Sequence, residues 1–130
     1  MKTLLAALLL AFSLPTLGQA PVAAVPAVPA LKPGRVDGAT ARSLVAAGAK
    51  VVDVRTPQEF ASGHVPGAVN IPYEEIGKRT SEIGPPATAV VLYCRSGRRS
   101  AIAVESLEKA GYRNLYDLQT VTAWPGPLSQ

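Results

Sequence analysis

The sequence has one cysteine, Cys94, and one histidine, His64, among its 130 residues. An intramolecular disulfide is therefore excluded. No metal site is expected either, because one thiol and one imidazole do not make a ligand set. Aromatic residues make up only 5% of the chain, and no basic stripe is interleaved with them. Since sequence-tolerant nucleic-acid surfaces combine basic grooves with stacking aromatic rings, we expect no nucleic-acid partner.

Long apolar runs are also scarce. A mainly apolar run lies between Lys2 and Pro15, and it is too short for a comfortable membrane span. Its positive start, its proline and the small-residue ending at Ala20 are typical of a secretory signal peptide, which we predict at residues 1–20. An uncleaved anchor is the alternative, but a lipoprotein anchor is excluded because no cysteine follows the run. We expect export, with a bacterial periplasm as the compartment, and no stable membrane insertion after cleavage.

Residues 21–33 alternate proline with alanine and valine. Repeated proline prevents a helix, so we predict a semi-extended tether there. Residues 34–130 then form one domain, in which short apolar runs alternate with helical patterns. The apolar runs predict strands at 50–54, 68–70, 89–93 and 114–118, and the helical patterns fall at 38–48, from 56, and at 100–111.

Strands that are apolar throughout are typical of a parallel sheet with both faces covered. We therefore predict an α/β fold, a small, doubly wound, five-stranded parallel sheet flanked by helices. The clearest helix start is at Thr56, which can act as the cap. Pro57 fits the first turn, and Glu59 stands three residues after the cap, as a capping box requires.

Cys94 follows the apolar strand 89–93 directly and opens the stretch CRSGRRS. An exported lone thiol is buried and inert, linked to another chain, or kept for its reactivity. Here the strand end, the loop glycine Gly97 and the following helix N-terminus can form a concave nest of N–H groups for an anion. Helix N-termini and neighbouring cations lower the pKa of a thiol, so we predict a nucleophilic thiolate. The alternative is a structural core cysteine, for which three nearby arginines have no purpose.

Two signatures resemble those of the rhodanese-like sulfurtransferases, in particular their small, exported, single-domain members. The first, Phe-x3-His-aliphatic-Pro-Gly-Ala-x2-aliphatic, is matched by Phe60, His64, Val65, Pro66, Gly67, Ala68 and Ile71. The second, Cys-x-x-Gly-x-Arg-Ser, is matched by Cys94, Gly97, Arg99 and Ser100. One departure is that Gln119 and Thr120 replace a glycine pair that often precedes Trp124 in the family. Side chains at these positions are expected to reshape or narrow the entrance to the site.

The resemblance implies transfer of a sulfane sulfur from a small anionic donor such as thiosulfate, through a Cys94 persulfide, to cyanide or a thiol. It implies no metal or organic cofactor, and we expect a monomer. The substrate-binding loop would consist of Arg95, Ser96, Gly97, Arg98, Arg99 and Ser100.

The charged residues of the predicted site are expected to differ in role. Arg95 and Arg98 are expected to face solvent and the donor, whereas Arg99 binds either the anion or a carboxylate such as Asp53. Asp53 and Arg55 are expected to form a structural ion pair, since buried charges must be paired. His64 is expected to make a structural hydrogen bond, since a preformed thiolate needs no base.

Three alternatives stay open. A cysteine phosphatase would share the fold, but such enzymes use Cys-x5-Arg, and the spacing from Cys94 to Arg99 is one residue shorter. A non-catalytic binding module would be expected to lack the nucleophile. A persulfide relay that accepts sulfur from a partner would have the same sequence features as a free-standing sulfurtransferase.

Overall fold

The computed structural model describes residues 31–130, so the predicted signal peptide and most of the predicted tether lie outside the described residues. Five strands form one sheet: β1 Gly34–Arg35, β2 Lys50–Asp53, β3 Val69–Asn70, β4 Val90–Cys94 and β5 Leu115–Thr120. All neighbouring pairs are parallel, in the order β1-β5-β4-β2-β3. The predicted α/β fold with a five-stranded parallel sheet is confirmed.

The α-helices are α1 Gly38–Ala46, α2 Pro57–Ala61 and α3 Arg98–Lys109. Of these, α1 and α3 cover opposite faces of the sheet. Successive residues of a strand point to opposite faces, and β4 divides the interior in this way. Val90, Leu92 and Cys94 pack in one core with residues of α3, while Val91 and Tyr93 pack in a second core with residues of α1. The thiol therefore lies on the α3 side of the sheet.

The predicted start of α2 is confirmed. The Thr56 hydroxyl accepts from the Glu59 N–H at 3.2 Å, and the Glu59 carboxylate accepts from the Thr56 N–H at 3.3 Å. Two backbone N–H groups that the first turn leaves without helical partners are thus satisfied. The cap places Glu59 on the first turn of α2, where its second oxygen remains available for another partner.

Three of the differences from the sequence-based expectations concern β1, α3 and β5. The strand β1 has two exposed residues and no apolar side chain, so hydrophobic pattern could not reveal it. The helix α3 begins at Arg98 and not near Ser100, because Gly97 takes a left-handed conformation with φ 95° and ends the loop early. The strand β5 continues to Thr120, two residues past its predicted end.

The N-terminal edge of the described chain contacts the domain. Leu31 packs against the α1-side core, and its carbonyl accepts from the Tyr116 hydroxyl at 3.3 Å. Within residues 31–130, no helix is long and apolar enough to cross a membrane. The same residues contain no group of three or more potential metal-ligating side chains.

Candidate active site

The Cys94 thiol is fully buried at the carboxyl end of β4, where the chain turns into α3. The loop wraps around the sulfur, and the Gly97 N–H donates to Sγ at 3.0 Å. Gly97 can make this turn because glycine adopts a φ of 95° without steric cost. The Ser100 hydroxyl donates to the Gly97 carbonyl at 3.1 Å and so ties the loop to the first turn of α3.

Burial raises the pKa of the Cys94 thiol. The N–H groups of Ser100, Gly97 and Ser96 outweigh that effect, so the pKa lies below its ordinary value. Hydrogen bonds to the charged form favour ionisation, and here they come from backbone groups that the loop has already oriented. The site can therefore hold a thiolate and stabilise negative charge that develops on or beside the sulfur.

Arg99 binds a carboxylate. Its two terminal guanidinium nitrogens donate to Glu59 at 2.7 and 3.0 Å. Asp53, which was expected as a carboxylate partner of Arg99, is not its partner, because the capping box on α2 brings Glu59 to this position. The ion pair joins the start of α3 to the start of α2 and holds the pKa of Glu59 at about 2.

The other two loop arginines, Arg95 and Arg98, are exposed. Within the part of the chain that the structure describes, neither makes a salt bridge. They place two positive charges on the exposed surface beside Cys94, where an anion in solvent can approach. In this respect they differ from Arg99, whose charge is already neutralised by a carboxylate.

The predicted ion pair between Asp53 and Arg55 is present and buried. Arg55 Nε lies 3.0 Å from both carboxylate oxygens of Asp53, and one terminal nitrogen lies 2.6 Å from Oδ2. The same nitrogen donates to the Gly63 carbonyl at 2.6 Å, and the guanidinium lies 5.6 Å from the centre of the Tyr93 ring. The pair thus fastens the end of β2 to the segment before β3, which is a supporting role.

The side chain of His64 makes structural contacts, as expected. Its Nδ1–H donates to the Phe60 carbonyl at 2.9 Å, and its ring stacks on that of Phe60 at 3.8 Å. The His64 backbone pairs with Ser129 in an antiparallel bridge. None of these contacts involves the Cys94 loop.

Sequence reasoning missed Asp117, a buried residue of β5 whose carboxylate accepts from the Gln119 N–H at 2.9 Å. Gln119 has a left-handed φ of 75° and lies against the loop at Gly97. The missing glycine pair was the available signal, since a glycine in that place suggests a positive φ. The carboxylate two residues earlier could have been sought as the group that holds such a turn.

A family model described as a rhodanese-like domain matches residues 38–121. The protein named sulfurtransferase from Allochromatium vinosum is 44% identical over 75 residues, which cover 57% of this chain and 69% of that protein. Thiosulfate sulfurtransferase PspE of Escherichia coli is 38% identical over 65 residues, covering 49% of this chain and 62% of the relative. The chain spans between 21% and 81% of the length of such curated relatives.

Among solved structures, a rhodanese with anions from E. coli aligns with 64% of this chain and 99% of its own, at 30% identity and a TM-score of 0.61. The matched family region contains both sequence signatures and the residues whose N–H groups donate to Cys94.

Proposed function

Because this chain belongs to the rhodanese-like domain family, we propose that it is a sulfurtransferase that carries a sulfane sulfur on Cys94 as a persulfide. The observation that carries the proposal is the environment of the thiol, with Sγ at a strand end 3.0 Å from the Gly97 nitrogen and a lowered pKa. Relatives named as sulfurtransferases support this class of reaction.

The proposed donor is thiosulfate. The Cys94 thiolate attacks the outer sulfur of the dianion and forms a new S–S bond. The original S–S bond breaks, and its electron pair leaves with sulfite. One negative charge then remains on the persulfide, where the loop N–H groups that held the thiolate can stabilise it. Arg95 and Arg98 raise the local concentration of the dianion, since both are exposed at the loop.

The proposed acceptor is cyanide or a thiol, which attacks the terminal sulfur and restores the thiolate. No metal is called on in either step. We further propose that the protein is exported by the predicted signal peptide and works as a monomer.

Intact-protein mass spectrometry after incubation with thiosulfate tests the proposal. We expect the wild type to gain one sulfur atom, which cyanide removes, and the variant Cys94→Ala to gain none. Failure of the wild type to gain sulfur from any sulfane donor would overturn the proposal. Turnover of a phosphate ester without persulfide formation would favour the phosphatase alternative.

The anion-attracting role of the loop has its own control. Arg95→Ala should slow loading at low thiosulfate concentration, with less effect at saturation. Arg42→Ala removes an exposed charge from α1, on the opposite face of the sheet, and should leave loading unchanged. Equal slowing in both variants would assign the effect to net charge and not to the loop.

A further inference from the structure

Gln119 is the only non-glycine residue within 31–130 that has a left-handed backbone, with φ 75°. It lies where β5 contains an extra residue relative to β4, since Leu92 pairs with Asp117 and the next residue, Tyr93, pairs with Gln119. Residues other than glycine rarely adopt this backbone conformation unless the surrounding structure stabilises it. A contact that holds the backbone is therefore required at Gln119, whereas glycine would adopt this φ without one.

The Asp117 carboxylate provides that support. Its Oδ1 accepts from the Gln119 N–H at 2.9 Å, the short-range bond by which an aspartate holds a turn two residues on. Asp117 is only 8% exposed, so the bond is shielded from water. Burial raises the pKa of Asp117, while the hydrogen bond from the Gln119 N–H lowers it, and burial prevails.

The turn at Gln119 packs against the Cys94 loop. A Cβ built on Gly97 would lie 3.3 Å from Gln119 Cβ and 3.7 Å from its Cγ, so the Gln119 side chain covers Gly97 closely. Gly97 in turn donates to Cys94 Sγ. Asp117, Gln119, Gly97 and Cys94 therefore form a continuous series of contacts from the end of β5 to the sulfur.

We propose that Asp117 is a positioning residue for Cys94. It holds Gln119 in a left-handed conformation that a glycine at position 119 would adopt without support. The expected effect on turnover rests on the proposed sulfur transfer, whereas the positioning of Cys94 does not. Without the hydrogen bond from its N–H to Asp117, Gln119 relaxes toward negative φ and its side chain moves against Gly97. The Gly97 N–H then no longer points at the thiolate.

The charge of Asp117 cannot be the source of the benefit. A carboxylate near a thiolate opposes ionisation of the thiol, so only its hydrogen-bonding geometry can favour the thiolate. The other charged groups in the neighbourhood are Arg99 of α3, which faces Cys94 and is paired with Glu59, and Arg35 of β1, which faces Asp117. Asparagine, which keeps the acceptor oxygen and removes the charge, should therefore substitute for Asp117.

The test is the pH profile of Cys94 alkylation by iodoacetamide in four variants, each first checked for folding by urea titration. At a pH below the wild-type midpoint, D117A should react about tenfold more slowly, the loss expected for one hydrogen bond to a charged group. D117N and Q119G should match the wild type. D117A/Q119G should also match it, because glycine holds the turn unaided. Sulfur loading from thiosulfate should follow the same order.

An unchanged alkylation profile in D117A, with only a lower free energy of unfolding, would reduce Asp117 to a structural residue. A slow double variant would also overturn the proposal. If D117A alone does not fold, restoration of both folding and wild-type alkylation in D117A/Q119G supports the proposal, and a folded but slow double variant refutes it. Alkylation does not depend on sulfur transfer, so failure of the proposed function would leave this result readable.

Discussion

Replacing Glu59 with glutamine should destabilise the protein at neutral pH and do much less in acid. The two hydrogen bonds from Arg99 hold the pKa of Glu59 at about 2, against an ordinary 4.5. A shift of that size corresponds to at most about 3 kcal/mol. The side chains of Arg99 and Glu59 are 20% and 28% exposed, so water screens the pair, and we expect about 1–2 kcal/mol.

The direction of the pH dependence follows from the lowered pKa. The stabilisation is present above the unfolded-state value near 4.5 and is lost as the pH falls through about 2. The free energies of unfolding of wild type and E59Q should therefore differ most at pH 7. They should converge as the pH is lowered from 4.5 toward 2.

Urea titrations of both proteins at pH 7, 4.5 and 3 measure the difference. Glutamine keeps an oxygen that can accept from the Thr56 N–H, so the capping box survives and the substitution isolates the ion pair. E105Q is the matched control, because Glu105 pairs with Lys109 at 3.3 Å with both side chains mostly exposed. Its effect should stay below about 0.5 kcal/mol. Equal losses in E59Q and E105Q, or an E59Q loss that persists in acid, would refute the reasoning.

Three further outcomes are expected. G97A should cost about 1–3 kcal/mol and slow sulfur loading, because the residue has φ 95° and a methyl group would press on β5 at 3.3 Å; G77A, whose methyl meets nothing within 4 Å, should be close to wild type in both measurements. D53A should cost about 3 kcal/mol or more in thermal or urea unfolding, since it leaves the buried charge of Arg55 unpaired, and a loss below about 1 kcal/mol would contradict that account. Alkylation of folded Cys94 should have its midpoint at a lower pH than alkylation in urea, because the loop N–H groups lower the thiol pKa; coincident midpoints would disprove a preformed cradle.

Features that depend on neighbouring residues were predictable from the sequence. The capping box at Thr56 needs only a hydroxyl and a carboxylate three residues apart, and the structure has both bonds. The buried strands β2 and β4 were visible as β-branched and aromatic runs. The Cys94 loop was recognisable because a strand, a glycine and a helix follow one another directly.

Features that depend on contacts between residues far apart in the sequence were not predictable. Glu59 and Arg99 are 40 residues apart, and no local pattern selects Glu59 over Asp53 as the partner of Arg99. The exposed strand β1 exists only because β5 offers it an edge to pair with. The turn at Gln119 follows from an irregular register between β4 and β5, which alternation of apolar residues cannot reveal.

The alternation along β4 bears on how freely this protein can change. Cys94 shares its core with α3, whereas Val91, Leu44 and Ala41 fill the core under α1. Substitutions that conserve volume in the α1 core should be tolerated with small losses of stability and without effect on the sulfur chemistry. Sequence drift, or deliberate redesign for thermal resistance, can therefore concentrate on the α1 side of the sheet while the α3 side stays fixed.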